Sequence, residues 1–238
     1  MTLPVTLPGA LRAAGLTVRT SPGWQNRGRP ASTGGFAPVG ILVHHTASSK
    51  SASDDAVVRL LVNGRSDLPG PLCQIGLARD GTVWMIAAGR ANHAGKARAS
   101  GTVAAGDGNR LYVGIEAFHA GAGERWTKVQ YDAYVTLCAV LCREVTGNSA
   151  QTVRGHKETS TTGKPDPTFN MDDFRRAVAA EMNRLGKPAK KPKPKKRPKR
   201  IRAALHKLRA QRDAKKTGPV QKRRIRAAIQ SLRKIKKR

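Results

Sequence analysis

Six histidines are spread along the 238 residues: His44, His45, His93, His119, His156 and His206. Two of them end the apolar run GILVHHTA, residues 40–47, where packing would favour carbon over imidazole. Side chains alternate across a strand, so His44 and His45 face opposite sides, and at most one of them joins a given metal site. One satisfied core histidine beside an exposed one fits the same residues. A second group, GHKETSTTGKPDPTF at 155–169, carries His156, Glu158, Lys164 and Asp166 on a segment whose Gly155, Gly163, Pro165 and Pro167 predict a loop. Asp166 stands between two prolines, which stiffen the backbone around a carboxylate suited to ligation, although a structural turn has the same composition. Glu116, within YVGIEAF at 112–118, is a carboxylate in an apolar strand. Burial there raises its pKa and a nearby cation or metal lowers it; a strand-edge glutamate facing solvent is the competing view. GRANHAG, residues 89–95, surrounds Asn92 and His93 with small residues, which suits a groove floor or a plain turn.

The elements that must position these groups follow from the apolar patterning. GILVHHTA reads as a buried strand, and SDDAVVRLLVN at 53–63 as a helix that opens on Ser53 and two aspartates. LCQIGLARDGTVWMIAA at 72–88 reads as two strands joined at Asp80-Gly81, and YVGIEAF as a further strand. Apolar spacing predicts a long helix over 127–145 and a closing helix over about 171–185. Strands alternating with helices in one domain give an α/β class: a central mixed β-sheet flanked by helices. The first 36 residues, rich in Gly, Pro, Ser and Thr, read as a loosely structured extension ahead of a domain at 37–185.

Charge divides the chain in two. Lys and Arg number 45 against 15 Asp and Glu, a net charge of +30, yet residues 187–238 alone hold 24 basic residues and one acid, Asp213. The stretch 186–199, GKPAKKPKPKKRPK, reads as an extended Pro/Lys linker reaching roughly 40 Å at about 3.1 Å per residue. Beyond it lies a basic tail, 200–238, with an internal repeat: RIRAALHKLR at 200–209 and RIRAAIQSLR at 224–233. Ile201, Ala204, Leu205 and Leu208, then Ile225, Ala228, Ile229 and Leu232, with Ile235 extending the stripe, fall at helical spacing on either side of Gly218-Pro219. Two short amphipathic helices and a turn are expected. No run of about 18 apolar residues exists, which excludes a membrane-spanning helix. Cys73, Cys138 and Cys142 make an odd count without paired spacing, which argues against a disulfide scaffold or a cysteine-rich zinc module.

Taken together and in order, ILVHHTA, GRANHAG, VGIEAF, GHKE and GKPDPTF resemble the zinc-dependent N-acetylmuramoyl-L-alanine amidases of type 2, a family that includes the catalytic peptidoglycan recognition proteins. The resemblance runs from about Gly40 to about Val178, and the GRANHAG segment with the basic tail is most similar to endolysins of phages infecting actinobacteria. It implies that 37–185 is a catalytic domain. It further implies a Zn2+ held by His44, His156 and Asp166, with a fourth position left for water. It implies Glu116 as catalytic proton acceptor, Lys164 as oxyanion stabiliser, and Asn92 and His93 along the substrate groove. The RDG segment at 79–81 also fits, but Gln74 stands where the family usually has His or Asn, and no role is assigned to it. His45 is expected to pack or support rather than ligate.

The implied substrate is peptidoglycan, cut between the lactyl group of N-acetylmuramic acid and L-alanine. The implied setting is a phage enzyme without a signal peptide, held in the host cytoplasm before lysis and acting at the cell wall. A non-catalytic peptidoglycan-binding module is one rival reading; a basic nucleic-acid-binding protein is another. The tail lacks aromatics for stacking on single strands, so its expected partner is an anionic wall polymer or membrane surface, with nucleic acid less favoured.

Overall fold

The computed structural model describes residues 1–147, 149–186, 199–214 and 218–234. They fall in two compact units, Met1–Lys187 and Pro188–Arg238. The first unit is built on a mixed six-stranded sheet of β1 (Val18–Thr20), β2 (Gly40–His45), β3 (Ile75–Leu77), β4 (Val83–Met85), β5 (Tyr112–Ala117) and β6 (Val153–Gly155). The strand order is β1-β4-β3-β5-β2-β6, with every pair parallel except the β3–β4 hairpin. Helices α1 (Leu7–Ala13), α2 (Asp54–Asn63), α3 (Gly108–Leu111), α4 (Lys128–Glu144), α5 (His156–Thr159) and α6 (Met171–Gly186) flank it. This is the α/β architecture, with a central mixed sheet, that the sequence predicts.

Local chemistry explains the boundaries. The Ser53 side chain accepts the Ala56 amide at the start of α2, and Thr127 accepts the Gln130 amide at the start of α4. Asn170 accepts the amides of Asp172 and Asp173 at the start of α6. Between β3 and β4, Gly81 takes φ +84° and the Asp80 carboxylate accepts both the amide and the hydroxyl of Thr82, which closes the turn.

Alternation along β2 and β5 sorts their side chains between two faces. Ile41 and Val43 of β2, with Val113, Ile115 and Ala117 of β5, join the core formed by α1, α4 and α6. Leu42 and Tyr112 belong to a separate cluster on the other face, and by the period of two His44, Gly114 and Glu116 share that face. The register sets His44 opposite Glu116. Burying branched side chains on one face of these strands thus leaves the opposite face free for polar groups.

Two expectations are corrected. The first 36 residues are not loosely structured: Leu3, Leu7 and Leu11 recur every four residues and are buried in the main core, and Val18 of β1 pairs with Val83 of β4. Pro8 lies in the first turn of α1, where no amide is needed, so proline content concealed a helix. His156 and Glu158, expected on a loop, form the single-turn helix α5 directly after β6. Cys73, Cys138 and Cys142 are free and buried, and burial pushes each thiol pKa upward.

The second unit contains α7 (Lys199–Asp213) and α8 (Pro219–Lys234), which pack against each other. Ile225 is buried while Lys207, Arg209, Arg223, Arg224 and Arg226 are exposed. Residues 187–198 of the expected linker, and Ile235 of the second apolar stripe, lie outside the described residues.

Candidate metal centre

Three strands and one turn bring the site together at the carboxyl end of the sheet. His44 ends β2, Glu116 lies beside it in β5, and β6 runs directly into α5, whose first residue is His156. The main chain then returns so that the Lys157 amide donates to the Asp166 carbonyl at 2.7 Å, which sets the Asp166 carboxylate beside both rings. His44 Nδ1 and His156 Nδ1 are 3.0 Å apart, and Asp166 Oδ2 lies 3.1 Å from the first and 3.2 Å from the second. All three residues are buried. His45 lines the same cavity but is not among these converging donors; its ring lies 5.8 Å from that of His119.

The electrostatics follow from burial. Desolvation lowers the His44 pKa to about 4 despite the hydrogen bond to Asp166, so its ring is neutral at pH 7. Burial acts to raise Asp166, but hydrogen bonds to His156 and His44 outweigh it and hold the carboxyl well below the usual carboxylate range. Glu116 is pushed the other way, first by burial and then by the Asp166 charge, with Lys164 only partly opposing. Its Oε1 is 4.0 Å from His44 Nδ1, and its buried Oε2 has no hydrogen-bond partner among the described residues.

These groups line a cavity of about 340 Å³. Its lining combines the apolar Leu60, Leu61, Leu68 and Leu72 with the polar His44, Glu116, His156, Lys164 and Asp166. Asn92 and His93 also line it, with the Asn92 amide donating to the Pro69 carbonyl at 2.8 Å. A cavity of about 360 Å³ elsewhere is lined by Arg27, Arg29 and Arg90 and holds none of these groups, so chemistry rather than size selects the site.

The supporting roles of several residues escape a sequence reading. Glu158 accepts from Arg154, Arg175 and the Gly155 amide at 2.8–2.9 Å, which ties α5 to β6 and α6. Asn109 Oδ1 accepts the amides of His93 and Ala94, both at 2.8 Å, and so shapes the GRANHAG segment. Gln74, fully buried, accepts the Gly114 amide at 2.6 Å and donates to the Gly89 carbonyl at 3.0 Å, joining that segment to β5. Its signal was an amide side chain inside the apolar run LCQIGLA. Arg79 of the RDG segment pairs with Glu124 at 2.9 Å and donates to the carbonyls of Ser48 and Ser49, linking the segments after β2 and β5.

The sequence model for N-acetylmuramoyl-L-alanine amidases matches residues 35–169. A search of curated proteins finds no match. Among solved structures, the fold is similar to the endolysin and N-acetylmuramoyl-L-alanine amidase LysCS from Clostridium intestinale, at 15% identity and a TM-score of 0.51, over 68% of this chain and 95% of that one. It is similar to AmpD at 20% identity and a TM-score of 0.51, over 68% and 94%. It is also similar to the PlyG catalytic domain at 17% identity and a TM-score of 0.50, over 74% and 99%. At these identities the structural likeness speaks for the fold alone.

Proposed function

The chain belongs to the N-acetylmuramoyl-L-alanine amidase family, and from that premise we propose that it cleaves peptidoglycan between the lactyl group of N-acetylmuramic acid and L-alanine, with a zinc ion held by His44, His156 and Asp166. The observation that carries this reading is the convergence of two imidazole nitrogens and a carboxylate oxygen within 3.0–3.2 Å of one another in a buried pocket. The donor set fits a hydrolytic zinc, because three lone-pair donors that crowd together away from water are best satisfied by one shared cation. When bound, zinc lowers the pKa of a coordinated water and polarises a substrate carbonyl.

The chain's own residues supply the remainder. Glu116, beside His44 and desolvated, accepts the proton of the attacking water and delivers it to the departing amine; a raised pKa suits both transfers. Lys164, on the rim of the same cavity, offers positive charge to the oxygen of the tetrahedral intermediate. The leucines that line the cavity give the substrate an apolar surface to lie against.

The GRANHAG segment and the basic C-terminal unit support a setting in phage-induced lysis, with the enzyme made in the host cytoplasm and acting at the wall. In this reading the exposed arginines and lysines of α7 and α8 hold the enzyme to anionic wall polymer or membrane surface. Mass spectrometry of products from purified peptidoglycan, with and without chelator and added zinc, tests the whole reading. Stem peptides with a free N-terminal L-alanine, lost with chelator and restored by zinc, are the expected result. Cleavage at another bond overturns the specificity, and wall binding without products makes the protein a recognition module.

A further inference from the structure

His93 sits against the far side of the His44 ring from the other two converging groups. Its Nδ1 lies 3.2 Å from His44 Nε2, and the two rings meet edge to face, with centroids 5.2 Å apart and planes at 85°. His44 Nδ1 is the atom directed at His156 and Asp166. For that nitrogen to offer a lone pair, the single proton of a neutral imidazole must reside on Nε2, and Nε2–H then needs an acceptor. His93 Nδ1 is at the right distance to be one.

We propose that His93 is a positioning residue for the metal centre: by accepting the His44 Nε2–H hydrogen bond it fixes the tautomer and ring orientation in which His44 Nδ1 can ligate. This departs from the expectation that His93 contacts substrate, and it rests on the zinc reading above. Partners of this kind orient ligating imidazoles, and their loss typically weakens metal affinity by about 10–100-fold.

The surroundings of His93 are shaped to keep its ring in place. Its amide and that of Ala94 donate to Asn109 Oδ1, which anchors the backbone on one side. On the other, Gly114 of β5 leaves room for the ring: a Cβ at position 114 would stand 2.6 Å from His93 Cγ and 2.7 Å from its Nδ1. Gln74, in turn, accepts the Gly114 amide, so the strand that receives the ring is itself pinned. A side chain at position 114 therefore displaces His93 without changing it.

The test measures zinc affinity of the full chain by competition with a chromogenic chelator, on wild type, His93→Leu, His93→Asn and Gly114→Ala, each first shown to fold by circular dichroism. Leucine fills the space without an acceptor, whereas the asparagine side-chain oxygen can occupy the position of Nδ1. The proposal expects affinity to fall about 10–100-fold in His93→Leu, to fall similarly in Gly114→Ala, and to return largely in His93→Asn. The visible spectrum of the cobalt-substituted protein should change in the same order. If His93→Leu binds zinc as tightly as wild type, or if asparagine does no better than leucine, the ring merely packs and the proposal fails while the zinc reading stands. A wild type that takes up no zinc overturns both.

Discussion

The phenol of Tyr134 grips the backbone of His44 at both its amide and its carbonyl. The hydroxyl oxygen lies 2.9 Å from the His44 nitrogen and 3.1 Å from the His44 oxygen, and it also lies 3.1 Å from the Ile115 carbonyl. One side chain of α4, reaching up from the core, thus fixes adjacent strands just where the ligand emerges from β2.

Tyr134→Phe removes this clamp and keeps the ring. The buried amide of His44 and two carbonyls are then left without it, at a cost of about 1–3 kcal/mol. Urea denaturation should show that loss, and activity should fall with it because the His44 backbone is freed. A midpoint indistinguishable from wild type would show that the hydroxyl contributes nothing to stability.

Glu116→Gln keeps the shape of the side chain and removes its ability to accept a proton. Turnover should drop roughly 10²–10⁴-fold, while zinc content, read by atomic emission on the purified protein, stays at the wild-type level. Wild-type turnover in this variant would rule out Glu116 as the base.

Glu124 links pH to stability. The Arg79 guanidinium and, against burial, the Ala120 amide lower its pKa from 4.5 to about 2. A carboxyl whose folded pKa is depressed contributes stability that is present above its unfolded value and is lost as pH falls from about 4.5 toward about 2. Because solvent screens part of the pair, Glu124→Gln should destabilise the protein by about 1 kcal/mol near neutrality, with the gap from wild type closing through that acidic window. A gap that is constant with pH would mean that the Arg79–Glu124 ion pair is not its source.

Deleting residues 188–238 removes one compact unit and leaves the other. The melting temperature of the remainder should be unchanged, but sedimentation with purified walls should weaken and lose its dependence on salt. Equal, salt-insensitive retention of both forms would dissociate the basic unit from wall attachment.

Much of this was legible because the relevant signals are local. The Asp80-Gly81 turn, the Ser53 and Thr127 caps and the apolar run before His44 each act within a few residues, and each predicted element formed. Strand β6 was missed because VRG is three residues long and owes its place to pairing with Ile41, Leu42 and Val43, more than a hundred positions away. The N-terminal helix was masked by Pro and Gly that fall at its first turn and on its exposed face. The site divides in the same way. His44, His156, Asp166 and Glu116 stand out by residue type, yet the support from Tyr134, Gln74 and Asn109 arises only when distant segments meet.

The three buried thiols have a consequence for where such a molecule can work. None is bonded to another, all are shielded from solvent, and burial disfavours the thiolate that oxidants attack. The fold contains no covalent crosslink to be made or broken, so passage from a reducing compartment to an oxidising one leaves its covalent structure as it was.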